Sequence, residues 1–192
     1  MYALIIASAF ARPGADATWE LLEDSTVRIE CTETNGEPWC RATALVSAAS
    51  TNVASSLENM GTQADVFEAV SSIRDLGSNT FHVTLDFPGM MSDRDYVVAF
   101  SKGTEGEDLV YSWVPVTHAE APPVSGVVRL SKMAGEWRLT PAGDNTQVTY
   151  LWQADLMGSF PSWALPVARK KTGNEALKDL AHSRDAKLLK TK

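Results

Sequence analysis

The chain has 192 residues, 44% hydrophobic and 21% charged, with a net charge of −7. That is too apolar for a disordered chain and too short for two ordinary domains, so a single domain over residues 15–192 is expected. The acidic balance speaks against a nucleic-acid partner, because phosphate binding needs a basic surface.

The charge is uneven. Residues 161–192 carry +5 and the rest of the chain −12. A basic tail of this kind either lies against anionic lipid headgroups or serves as a solvated face that complements an acidic body.

Residues 1–14 open on the apolar run Met1 to Ala11, which ends in Ala9-Phe10-Ala11, the small-x-small pattern of a signal-peptidase site. Export, to the periplasm or outside the cell, is the expectation. The competing reading is a first helix or strand of the domain, with the protein in the cytoplasm.

Strand-like segments follow at 18–23, 27–33 and 39–46, rich in β-branched residues. Asn35-Gly36 is a strong hairpin signal, since both central positions of a type I′ turn need positive φ. Counting outward from that turn pairs Thr34 with Glu37, Glu33 with Pro38, Thr32 with Trp39 and Cys31 with Cys40. Cys31 and Cys40 then fall on a non-hydrogen-bonded site, where opposed Cα atoms come within disulfide reach. A disulfide suits an exported chain; in the cytosol two reduced thiols would sit side by side.

Residues 48–67 read as a helical insert, with Val53, Leu57 and Met60 at i, i+4, i+7 and a break near Gly61. Strands are expected again at 69–76, 80–87, 94–102, 109–116, 126–133, 136–140 and 147–155. Segment 80–87 alternates cleanly: Phe81, Val83, Leu85 and Phe87 on one face, His82, Thr84 and Asp86 on the other. By that alternation His82 is expected to be exposed. Residues 159–190 read as a long helix that Pro166 and Gly173 should distort.

The fold class is therefore α+β: a curved antiparallel sheet of eight to nine strands, short helices after the third strand, and a long C-terminal helix. One helix cannot fill the concavity of so large a sheet, which leaves an apolar cavity suited to a hydrophobic ligand. Trp113, Trp137, Trp152 and Trp163 would either stack on such a ligand or pack the core. The three histidines lack metal-ligand spacing, and Asp93 and Asp95 beside Arg94 read as salt-bridge or turn residues.

From Phe81 to Leu180 the chain resembles the START (StAR-related lipid transfer) family of the helix-grip superfamily, particularly its small bacterial members. The resemblance rests on ordered motifs: Ser92-Asp93-Arg94-Asp95-Tyr96-Val97; His118, Pro122-Pro123 and Gly126-Val127-Val128-Arg129; Gly135-Glu136-Trp137-Arg138-Leu139-Thr140-Pro141; Val148-Thr149-Tyr150 with Gln153 and Asp155; and Gly158 with Phe160-Pro161-Ser162-Trp163. It implies a helix-grip fold around a tunnel that holds one lipid, sterol or other hydrophobic molecule. No cofactor or metal is implied, and most members bind or carry and catalyse nothing. The wider superfamily also holds cyclases and hydrolases, so an enzyme using the same cavity is the alternative, as is a regulatory module with a collapsed cavity.

On the strand that starts at Arg94, the family's tunnel-facing position corresponds to Phe100, and Tyr96 and Val98 share its face. Phe81, Val83, Leu85 and Phe87 on the neighbouring strand should face the same way. These seven are the expected lining, with Met90 and Met91 as a candidate gate. Sterol-binding relatives carry a buried arginine and acid where this chain has Phe100 and, near it, Leu85, so sterol is not the implied ligand. Arg169-Lys170 stand where relatives are apolar; they either reach solvent or make the tunnel mouth basic.

Overall fold

The computed structural model describes residues 12–87, 92–153, 155 and 162–190. Strands β1 (Glu20–Asp24), β2 (Arg28–Thr34) and β3 (Glu37–Val46) lead into helix α1 (Ser50–Ala54) and a 3₁₀ turn (Met60–Asp65). Then come β4 (Val70–Asp75), β5 (Thr80–Leu85), β6 (Arg94–Glu105), β7 (Asp108–Pro115), β8 (Val128–Arg129), β9 (Gly135–Ala142) and β10 (Asn145–Gln153). Helix α2 (Leu165–His182) and the short β11 (Leu188–Leu189) close the chain. Nine strands form one path, β1-β2-β3-β10-β9-β7-β6-β5-β4; β8 and β11 pair off it, with β6 and β3.

The hairpin forms as its turn dictates. Asn35 and Gly36 take φ of 54° and 76°, and the register pairs Thr34 with Glu37 through to Cys31 with Cys40. Cys31 and Cys40 are joined in a disulfide with Cα atoms 4.0 Å apart.

The expected strand at 126–133 shrinks to the two residues of β8, which run parallel to β6, with Arg94 opposite Val128 and Asp95 opposite Arg129. After Pro115 the chain doubles back and reaches β6 at its beginning rather than its end.

Helix α2 is shorter than expected. Pro166 lies in its first turn, where a missing N–H costs nothing, so it starts the helix and does not bend it. Gly173 is the point of closest approach: a Cβ there would stand 3.0 Å from Ala42 Cβ and from Ile29 Cδ1, and 3.1 Å from Trp152. Leu177, Leu180 and Ala181 continue that buried stripe. The helix thus rests on β1, β3 and β10 and meets β2 at Ile29, while α1 packs over β9 and β10 and the 3₁₀ turn over β4. Val53, Leu57 and Met60 are all buried. Among the described residues no helix is long and apolar enough to cross a membrane.

Candidate functional site: the inner face of the sheet

Residues directly opposite one another in antiparallel strands share a face, so the register can be followed across the sheet. Phe81 faces Val98 and Val83 faces Tyr96; Phe100 faces Trp113. Trp113 in turn faces Gly135 and Tyr111 faces Trp137. Trp137 faces Tyr150, Gly135 faces Trp152, and Tyr150 and Trp152 face Ala42 and Cys40. One face is therefore apolar from β5 to β3, and it is the face that Gly173 of α2 touches.

Aromatic rings dominate it. Tyr150 stacks between Trp137 (4.2 Å) and Trp152 (4.8 Å), and Phe67, just after the 3₁₀ turn, stacks on Trp137 at 5.5 Å. Phe100 meets Phe81 edge-on at 6.3 Å and stacks with Tyr111 at 6.4 Å. The Trp113 indole lies where a Cβ on Gly135 would be, so a glycine makes the seat for that ring. Burial pushes the phenols of Tyr96 and Tyr150 far above their ordinary range, and both stay neutral. At one rim Tyr111 donates to Glu58 at 2.6 Å, and Lys102 pairs with the same carboxylate at 2.7 Å.

Of the expected lining, Phe81, Val83, Tyr96, Val98 and Phe100 are buried on this face, and Leu85 is half-buried against the same cluster. Phe87 lies just past the end of β5, its ring 4.2 Å beneath the Arg94 guanidinium. Met90 and Met91 lie outside the described residues, as does the segment Met1 to Ala11. Trp113, Trp137 and Trp152 belong to the inner face, but Trp163 is 81% exposed.

Tyr111, Tyr150 and Arg94 stand on this face outside the expected lining. Strand parity with Tyr96 and Phe100 is the sequence signal that marks Arg94.

The outer face holds a second polar assembly. His82 is not exposed, as alternation alone suggested. Its Nε2 lies 2.7 Å from Asp95 Oδ2, and its side chain is only 15% exposed. Arg129 donates to both Asp95 oxygens at 2.8 Å and to the carbonyl of Ala121 at 3.1 Å. Arg129 thereby ties the returning chain at Ala121 to the Asp95 carboxylate that His82 also meets. Burial opposes ionisation of Asp95, but hydrogen bonds from Arg129 and His82 outweigh it and keep the carboxyl below its ordinary range. Asp93 accepts from the Phe87 amide at 3.2 Å.

An open groove of about 830 Å³ runs between α2 and the turn joining β1 to β2, lined by Val27, Lys171, Asn174, Lys178 and His182 among others. Its polar groups are partly spent on one another: Asn174 donates to Glu23 at 3.2 Å and Lys171 sits 3.6 Å from Glu175. The inner face is the stronger candidate, because it is dry and continuous. Among the described residues no cluster of His, Cys, Asp or Glu is placed to hold a metal ion.

A family model described as START domain matches residues 16–186. Human StAR-related lipid transfer protein 5 superposes with a TM-score of 0.79 at 16% identity, covering 88% of each chain. A STAR-related lipid transfer protein fragment from Xanthomonas axonopodis gives a TM-score of 0.74 at 23% identity, over 87% of this chain and 98% of that one. An aromatase/cyclase from a Streptomyces species is more distant, at a TM-score of 0.50 and 15% identity over 77% of this chain and 93% of that one. An uncharacterised protein of Pseudomonas aeruginosa is 31% identical over 80 residues, 41% of this chain and 40% of that relative's length.

Proposed function

Because the chain belongs to the START-domain family, we propose that it binds one hydrophobic small molecule or lipid against the inner face of its sheet, without chemical turnover. The observation that carries this reading is the unbroken apolar face from Phe81 to Cys40. Affinity comes chiefly from apolar burial, about 25 cal/mol per Å² before ordering costs. The seven lining positions, from Phe81 through Phe100, are the proposed contacts. Phe100 and Leu85, both apolar, favour an apolar ligand body over a sterol hydroxyl.

A second reading, catalysis on the same face, draws on two buried phenols: Tyr96, raised by burial and by nearby Tyr150, and Tyr150, raised by burial. Both are held neutral, so they suit hydrogen-bond donation to a ligand better than proton abstraction.

Export is proposed together with binding, supported by the Cys31–Cys40 disulfide and the apolar start of the chain. Contact with a membrane surface is proposed through the start of α2. There exposed Trp163 and Val167 precede Arg169, Lys170 and Lys171, an apolar-then-basic order suited to anionic headgroups.

The test is native mass spectrometry after incubation with mixed-lipid vesicles. One adduct per protein is expected. Leu85→Asp, at a half-buried site, should lose the adduct while its near-UV circular dichroism stays native. No adduct on the unmodified protein would sink the reading.

A further inference from the structure

Arg94 opens β6 directly opposite Leu85, and so lies on the inner face with Tyr96, Val98 and Phe100. It is 4% exposed, which is unusual for an arginine unless it is paired. Arg74, on β4, is spent on the Glu120 carbonyl, and four other sheet arginines are paired with carboxylates. Arg28 and Arg41 hold Glu30 at 2.8 and 2.9 Å, Arg129 holds Asp95 at 2.8 Å, and Arg138 holds Asp108 and Glu105 at 2.8 and 2.6 Å.

Among the described residues Arg94 has no carboxylate. Asp93 is turned toward the Phe87 amide, and Asp95 points to the opposite face. One guanidinium nitrogen, Nη1, donates to the Ser92 carbonyl; the buried Nε has no hydrogen-bond partner. The flat ring of Phe87 lies under the group at 4.2 Å and supplies no acceptor. A buried charged donor without an acceptor is costly. Burial lowers the proton affinity of Arg94 below the ordinary arginine value, only partly offset by the charge of Asp93, whereas that of Arg129, hydrogen-bonded to its carboxylate, is raised.

We propose that Arg94 is the anchor for the anionic head, a carboxylate or phosphate, of an amphiphile whose chain lies on the aromatic inner face. The proposal rests on the reading of that face as the ligand site. A carboxylate or phosphate fits the open edge of the guanidinium fork. The apolar neighbours Leu85, Phe87 and Tyr96 keep water away and strengthen the pairing. The ligand class is narrowed to acidic single-chain lipids or acidic phospholipids, and away from neutral ones.

The experiment compares palmitate, monohexadecyl phosphate and hexadecanol, which share a chain and differ in the head, on the unmodified protein and on Arg94→Met and Arg94→Lys. Binding is read by displacement of a fluorescent fatty alcohol, and folding by thermal melting without ligand. The unmodified protein should prefer one or both anions over the alcohol by about tenfold or more, and which anion wins separates a fatty acid from a phosphate headgroup. Arg94→Met should lose that preference and keep its affinity for the alcohol, with Arg94→Lys in between. Its apo melting temperature should hold or rise, because an uncompensated buried charge is gone. Equal affinity for all three compounds, unchanged by the substitutions, overturns the anchor and leaves the cavity reading standing. Failure of both variants to fold overturns it too, since the arginine would then be structural. Uptake of none of the three by the unmodified protein removes the cavity reading, and the anchor with it.

Discussion

Asp95 illustrates how one residue of the motif Arg94-Asp95 serves structure while its neighbour faces the site. Its carboxylate is buried and held by Arg129 and His82, and its proton affinity is lowered. A carboxyl depressed in the folded state contributes stability above its unfolded value, about pH 3.9. That contribution is lost as the pH falls through the lower folded value. Asp95→Asn should therefore cost about 3 kcal/mol near neutrality and flatten the loss of stability below about pH 4, as read by urea unfolding across that range. An unchanged acid profile would show that the assembly adds no pH-dependent stability.

Legibility at this scale was uneven. Phe81, Val83 and Phe100 could be placed by alternation because their strands are regular. His82 could be placed on the outer face, but not in its pairing with Asp95, because alternation along one strand says nothing of the neighbouring strand's side chains. Trp163, expected to stack on a ligand or pack the core, is exposed in the fold, in the short turn just ahead of α2.

Among the elements, the β2–β3 hairpin was the most readable. A type I′ turn fixes register to the residue, so the facing of Cys31 and Cys40 followed from the Asn35-Gly36 pair, and of the disulfide and the two reduced thiols the structure has the disulfide. Closing so short a loop contributes about 2–3 kcal/mol in the chain-entropy model, and less here, since the turn already restricts the unfolded hairpin. Reduction, or Cys31→Ser with Cys40→Ser, should lower the urea midpoint and leave the fold native. No shift in that midpoint would contradict a stabilising role.

Helix α2 was readable in existence but not in seat. Gly173 was expected to distort it; instead its missing side chain lets the helix rest on Ala42, Ile29 and Trp152. Gly173→Val should destabilise by about 1–3 kcal/mol through overpacking, measured by thermal or urea unfolding, despite the better helix propensity of valine. A neutral result would mean that α2 can move off the sheet at little cost. Strand β8 was the least readable element: two residues carry no periodicity, and its parallel pairing to β6 is decided by where the chain returns.

Taken whole, the molecule is an open sheet whose inner face is a ladder of aromatic and aliphatic side chains. Helix α2 covers the β2, β3 and β10 side, and Arg94 stands near the opposite end. Alternation and the ordered motifs made the fold class legible. The site was legible only in part, because an inner face is assembled from registers that no single strand contains. The most direct test uses the tryptophans as reporters. In a Trp19→Phe, Trp163→Phe background, Trp113, Trp137 and Trp152 sit on the inner face, and Trp39, on the opposite side of β3, serves as an internal reference. A brominated fatty acid quenches indoles only at near contact. Saturable quenching of most of the emission at one equivalent of ligand is the predicted result. Saturable uptake of the same lipid with the emission unchanged would place the ligand elsewhere and contradict the account.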